Sequence, residues 1–245
     1  MENNFLNLTE TEKDSPIYRI ISIERLFELF NTKKNTLVNP VKWDDPFENF
    51  MMNATGELDG GELFSISFRD NFYGQCWTKT RESDAMWRIY SPDKKGARIK
   101  TTPRKLLKSL YDVSDEYRDK SCFVGKVKYF TKPKLKLLLD NYGENWILDN
   151  TGIGQARTLL FKRNAFKHEN EVRIIFNSQG EYSTDDIHSY TIDPFDLIDE
   201  IVFDPRILYK EFKGFKKTLK QMGFKNRILK SKLYHAPDFR FRLNN

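Results

Sequence analysis

The apolar positions of this chain change period several times. Residues 17–21, Ile-Tyr-Arg-Ile-Ile, predict a strand. Ser22 then precedes Ile23, Leu26, Phe27 and Phe30, whose spacing predicts a capped amphipathic helix. Residues 36–38 predict a second strand, stopped by Asn39-Pro40. Further strands are predicted at 63–68, 74–78 and 96–100. Between them, Ser83 or Asp84 starts a helix carrying Met86, Trp87 and Tyr90, and Thr102-Pro103 opens another with Leu106, Leu107 and Leu110. Residues 123–130 alternate as one strand, and 135–139 and 144–161 predict short helices. The C-terminal part reads as strands at 171–176, 189–192 and 198–203, a helix at 209–222, and final strands at 227–233 and 239–243.

Strands and helices are interspersed without a regular strand–helix repeat. The expected fold is therefore α+β: a single domain over 17–245 with mixed, largely antiparallel sheets and flanking helices. No internal repeat or Gly/Ser-rich linker divides it. The polar residues 1–16 read as a loosely ordered lead-in.

Composition narrows the setting. Of 245 residues, 39% are hydrophobic and 14% aromatic, enough for a sizeable core. No apolar run approaches the ~20 residues of a membrane span, and the N-terminus lacks a signal-peptide layout; the expected location is cytoplasmic. Cys76 and Cys122 lie far apart among apolar neighbours and read as reduced, buried thiols. With three histidines and no paired cysteine, a structural zinc site is not expected. The net charge of +6 is uneven: residues 205–245 hold twelve Lys or Arg and two acids, or +10, leaving −4 elsewhere. Lys213, Lys216, Lys217 and Lys220 share one helical side. They form either a solvated face or a surface for a polyanion such as nucleic acid or a nucleotide.

The stretch around position 170 carries the most chemistry. Val172, Ile174 and Phe176 alternate with Arg173 and Ile175 as in a core strand. Continued backwards, that strand would point Glu169 and Glu171 the same way. Lys162, Arg163, Lys167 and Arg173 lie close in sequence. Two carboxylates so placed can perform acid, base or electrostatic catalysis, or can simply form ion pairs. Asp44, Asp45 and Glu48 are a weaker candidate, either an oxygen-ligand metal site serving a nuclease or a capped turn. Phosphate-loop, dinucleotide, nucleophile-elbow and zinc-helix motifs are absent from the sequence.

Several patches occur in a familiar order: Tyr18-Arg19; Leu37-Val38-Asn39-Pro40 leading to Trp43-Asp44-Asp45-Pro46-Phe47-Glu48; Cys76-Trp77-Thr78-Lys79-Thr80-Arg81-Glu82-Ser83; Met86-Trp87-Arg88-Ile89-Tyr90; Phe161-Lys162-Arg163; Glu169-Asn170-Glu171-Val172-Arg173. Together they resemble the bacterial and phage-associated domain-of-unknown-function family 2971, over roughly residues 17–235. The order Tyr18-Arg19, then Trp77-Thr78-Lys79-Thr80, then Glu169-Asn170-Glu171 is also similar to that of the ADP-ribosyltransferase superfamily. There an early Arg, His or Tyr strand, a Ser/Thr strand and a Glu-x-Glu strand bind NAD; the middle motif here departs from Ser-Thr-Ser.

The second resemblance implies an ADP-ribosyltransferase-like fold and an NAD-dependent enzyme, a toxin or phage-defence effector in character, needing no metal. Glu171 would stabilise the ribosyl cation and Glu169 would orient or deprotonate the acceptor. Tyr18, Arg19, Trp77, Thr78, Arg81 and Trp87 would bind NAD, Arg19 through the diphosphate. The lysines of 213–220 would hold a nucleic-acid or nucleotide acceptor. The alternative is a non-catalytic nucleic-acid-binding or sensor module built on the basic C-terminal third.

Overall fold

A computed structural model describes residues 1–43, 45, 47–66, 69–112, 114–180 and 186–242, Arg69 by its backbone alone. The strands are β1 (Phe5–Leu6), β2 (Ile17–Ser22), β3 (Lys34–Val38), β4 (Thr55–Glu57), β5 (Leu63–Ser65), β6 (Phe72–Thr78), β7 (Gly96–Thr101), β8 (Cys122–Lys126), β9 (Lys128–Phe130), β10 (Phe161–Arg163), β11 (Glu171–Asn177), β12 (Ile187–Thr191), β13 (Glu200–Phe203) and β14 (Arg227–Lys230). The helices are α1 (Glu10–Lys13), α2 (Ile23–Thr32), α3 (Asp84–Tyr90), α4 (Pro103–Leu110), α5 (Arg118–Ser121), α6 (Lys132–Ile147), α7 (Ile153–Thr158), α8 (Pro194–Leu197) and α9 (Tyr209–Gln221).

Ten strands form one sheet in the order β1-β8-β11-β6-β2-β7-β13-β14, with β3 and β12 branching from β6. Most neighbours are antiparallel; β1–β8 and β13–β14 are parallel. This is the α+β architecture that the interspersed pattern predicts. The branch matters most. One edge of β6 pairs with β3 at Val38↔Gly74 and with β2 at Tyr18↔Thr78, so β2 and β3 part between those points and the sheet forks beside residues 75–77. Gly74 is required there, because a Cβ would stand 2.7 Å from Cζ2 of Trp43.

Side-chain alternation gives each sheet face its own core. Tyr73, Trp77, Val172, Ile174, Ile99 and Phe203 join α2, α4 and α9 in the larger cluster. Phe72, Phe123 and Ile175 join α7 on the other side. Fully buried Val172 and Ile174 each contribute roughly 2 kcal/mol.

Local signals explain many boundaries. Ser22, Ser83 and Thr102 each accept a first-turn backbone N–H and so start α2, α3 and α4. Four expectations need correction. Residues 1–16 are tied down: β1 pairs with β8, α1 carries a capping box, and buried Asn4 Nδ2 donates to the carbonyl of Cys122 at 2.7 Å. The strand expected over 123–130 breaks at Val127, whose N–H turns to the carbonyl of Glu171. The strand expected at 63–68 is only β5; Ser67 and Phe68 lie outside the described residues. Residues 239–242 form no strand, and Leu243 lies outside the described residues.

Candidate active site

Tyr18, Thr78 and Glu171 stand in one row across three adjacent strands. Thr78 is the ladder partner of both Tyr18 on β2 and Glu171 on β11. Directly paired residues share a face, so all three project to the same side of the sheet. A cavity of about 170 Å³ opens there at the fork, walled also by Met86, Tyr90 and Glu169.

Glu169 arrives by a different route from the one its spacing suggests. Residues 164–169 form a 3-10 helix, and Asn170 ends it at φ 45° in the left-handed region. Only Glu171 belongs to the strand. The two carboxylates nevertheless meet, because Lys162 Nζ donates to Glu171 Oε1 at 2.6 Å and to Glu169 Oε2. Lys162 also reaches Glu48 at 2.6 Å. Buried Arg173 donates to Glu171 Oε2 at 2.7 Å, to Glu48 Oε1 at 3.1 Å and to the carbonyl of Leu159 at 2.8 Å, with the Trp43 ring 4.4 Å from its guanidinium carbon. Three carboxylates thus face two cations, one negative charge in excess when all are ionised.

The two glutamates are tuned apart. Burial pushes Glu171 up, but the charge and hydrogen bond of Arg173, with Lys162, overcome it and hold the carboxyl well below the ordinary range. Burial, then the neighbouring Glu171, raise Glu169 above its ordinary value despite Lys162. Tyr90 Oη donates to Glu169 Oε1 at 3.2 Å; burial first, then Glu169, keep that phenol protonated to higher pH than usual. Thr78 Oγ1 donates to the carbonyl of Glu169 at 2.5 Å and accepts from the N–H of Thr80 at 3.0 Å, so it fixes the Glu169 turn.

Of the other expected residues, Arg19 and Trp77 border the cavity and Arg81 and Trp87 do not. Arg19 borders the cavity, but it follows Tyr18 on the strand and pairs with Ile99 of the larger core. Its side chain therefore leaves on the face opposite Glu171. Trp77 also borders the cavity, yet its ring is buried in the larger core and its Nε1 donates to Gln75 at 2.8 Å. Arg81 and Trp87 are not in the cavity wall. The Arg81 carbonyl accepts from Arg98, and Trp87 is wholly buried with its Nε1 bonded to Glu82. Helix α9 packs Phe212 and Leu219 into the larger core, so Lys213, Lys216, Lys217 and Lys220 lie behind the sheet from the carboxylates. Lys220 there donates to the carbonyls of Lys225 and Asn226.

Asp45 is paired with Arg163 at 2.8 Å and accepts from the N–H of Phe47, while Glu48 belongs to the Lys162–Arg173 cluster. Asp44 lies outside the described residues. Among the described residues, no group of three His, Cys, Asp or Glu is arranged to hold a metal ion, and no helix is long and apolar enough to cross a membrane. Cys76 and Cys122 are free, and burial raises both thiols, Cys122 to about 12. The sequence pattern alone did not single out Tyr90 or Glu48 for this site; they lie 79 and 121 residues from Glu169, with no local motif marking the meeting.

Residues 86–174 match the family described as "Protein of unknown function (DUF2971)", a span that holds Tyr90, Lys162, Glu169 and Glu171. Solved structures of Thermus sp. 2.9 DarT are similar over most of the chain. The complex with NAD+ has 13% identity and a TM-score of 0.40, covering 92% of this chain and 98% of that one. The complex with ADP-ribosylated ssDNA has 13% identity and a TM-score of 0.41, covering 92% and 97%. The complex with carba-NAD+ has 14% identity and a TM-score of 0.39, covering 90% and 97%. No curated protein matches the chain.

Proposed function

We propose that this chain transfers ADP-ribose from NAD, with Glu171 and Glu169 as its catalytic pair. The observation that carries the reading is the row Tyr18–Thr78–Glu171 beside Glu169, two carboxylates tuned in opposite directions at one cavity. Such divergence separates a permanently charged group from a proton-transferring one.

Breaking the bond between ribose C1′ and the nicotinamide nitrogen sends the electron pair to the ring, which leaves neutral, and builds positive charge on the sugar. Glu171 stays ionised at any physiological pH. Its cluster carries surplus negative charge, so it favours the charged sugar over the ground state. The acceptor's nucleophilic atom then bonds C1′ and gives its proton to Glu169, whose raised affinity suits that task. Tyr18 offers a ring at the cavity wall, with the Arg98 guanidinium 4.9 Å from its centroid. Thr78 holds the Glu169 turn in place.

The acceptor in this reading is nucleic acid, drawn by the basic C-terminal third. The lysines of α9 face away from the carboxylates. The segment after β14 instead packs on the start of α3, the helix that brings Met86 and Tyr90 to the cavity: Ser231 donates to Glu82 at 2.5 Å and Tyr234 bonds Asp84.

The test is NAD-dependent release of nicotinamide together with transfer of label to single-stranded oligonucleotides. Wild type is expected to do both, and Glu171→Gln to lose at least 100-fold, on the scale of losing one preorganised electrostatic contact. No release by wild type, or full activity in folded Glu171→Gln, would refute the reading. Oligonucleotide binding without turnover would instead favour the non-catalytic alternative.

A further inference from the structure

We infer that the fork holds a second site, on the face opposite the carboxylates, that binds a phosphoryl dianion through Arg19. A separate cavity of about 300 Å³ opens there, lined by Arg19, Arg25, Lys34, Asn35, Thr36 and Gln75 among others. Arg19 is only partly exposed. Among the described residues its guanidinium has no hydrogen-bond or ion-pair partner. A half-buried guanidinium with five donors, none taken up by a protein acceptor among the described residues, is placed to receive an anion entering the cavity.

The neutral acceptors nearby are already committed. Gln75 Nε2 donates to Asn35 Oδ1 at 2.8 Å and to the carbonyl of Thr36 at 2.9 Å, and Trp77 Nε1 donates to Gln75 Oε1 at 2.8 Å. Asn35 Nδ2 donates to Tyr190 Oη at 2.8 Å. These bonds fix the amides and leave Arg19 without an oxygen. Burial, with Arg25 adding repulsion, lowers Arg19 to about 10; a bound anion would reverse that shift.

Charge count selects the ligand class. Three cations, Arg19, Arg25 and Lys34, line the cavity with one acid, Glu28, which pairs with Arg25 at 2.8 Å. The excess of two positive charges matches a phosphoryl dianion better than a monocarboxylate, and guanidinium binds phosphoryl oxygens bidentately. The ladder directs the Arg19 and Glu171 side chains to opposite faces, although Arg19 also borders the first cavity, so competition with ADP-ribose distinguishes two sites from one. The inference therefore goes beyond the proposed transferase activity and does not depend on it.

The test is calorimetric titration with inorganic pyrophosphate at constant ionic strength. Saturable one-to-one binding is expected. It should weaken at least tenfold in Arg19→Gln and severalfold in Lys34→Gln, and remain unchanged in Glu171→Gln. Because Arg19→Gln removes an unpaired charge, it should keep the wild-type circular dichroism spectrum and melting temperature in phosphate-free buffer. Saturating ADP-ribose should leave pyrophosphate binding unaltered. Absence of saturable binding, equal binding by Arg19→Gln, or displacement by ADP-ribose would each overturn the inference, the last by showing a single site shared with the dinucleotide.

Discussion

Glu169 and Glu171 share one ammonium group, that of Lys162, and yet their proton affinities move in opposite directions. The difference comes from Arg173, which binds Glu171 at 2.7 Å and does not touch Glu169. One carboxylate has two cations; the other has one cation, a phenol and an anionic neighbour.

Lys162 is the shared donor, so its removal leaves three buried carboxylates facing Arg173 alone, with Glu169 lacking any cation. Lys162→Met is expected to destabilise the fold by about 3 kcal/mol or more, as breaking buried ion pairs does. Urea denaturation at neutral pH measures this. A loss below about 1 kcal/mol would mean that water already reaches the cluster.

Tyr90 donates to the carboxyl proposed to take the acceptor's proton. Loss of that donor in Tyr90→Phe removes help for the charged form and raises Glu169 further. The acidic limb of the kcat/KM profile for transfer to the oligonucleotide acceptor should therefore move to higher pH. Stability should change by only about 1 kcal/mol, the worth of one ordinary hydrogen bond. An unmoved limb would assign the proton transfer to another group.

Acid stability depends on a third glutamate. Glu12 bonds Lys79 at 2.5 Å and Lys126 at 2.8 Å, which lowers it from 4.5 to about 2. A depressed carboxyl contributes stability above its unfolded value and loses it as pH falls through the folded one. Stability should therefore drop between pH 4.5 and about 2, with Glu171 acting in the same sense. Glu169, being raised, acts in the opposite sense: its share is full at low pH and fades as pH rises through its elevated value. Glu12→Gln should flatten the acid limb in urea melts between pH 2 and 6, and a limb as steep as wild type would place the titration elsewhere.

Asn170 holds the turn between the two carboxylates at φ 45°. Asn170→Gly should fold with near wild-type stability, whereas Asn170→Val should cost about 1–2 kcal/mol, because a β-branched residue resists the left-handed region. Thermal melts of the two variants would show this, and equal melting temperatures would remove the turn from the account.

The sequence showed most elements because their caps and periods are local. Ser22, Ser83 and Thr102 mark helix starts by residue type, and the alternation at Val172, Ile174 and Phe176 marks the central strand. The pairing of Glu169 with Glu171 was legible as a spacing, but the 3-10 turn that produces it was not, since the conformation of Asn170 depends on Thr78 across the sheet. Arg19 borders the same cavity, but the direction of its side chain was not legible, for a related reason. Neighbouring residues on a strand point to opposite faces, and only the register with β6 shows that Tyr18, not Arg19, stands in line with Glu171. The partners contributed by Glu48 and Tyr90 come from distant turns and helices, where no short pattern records the encounter.

The parting of β2 from β3 has a further mechanical consequence. At that seam the carbonyl of Thr36 is met by the side-chain amide of Gln75 rather than by a main-chain neighbour. The crevice is thus laced by one replaceable residue, and its width is open to adjustment by mutation there while the ladders on either side keep the rest of the sheet in order.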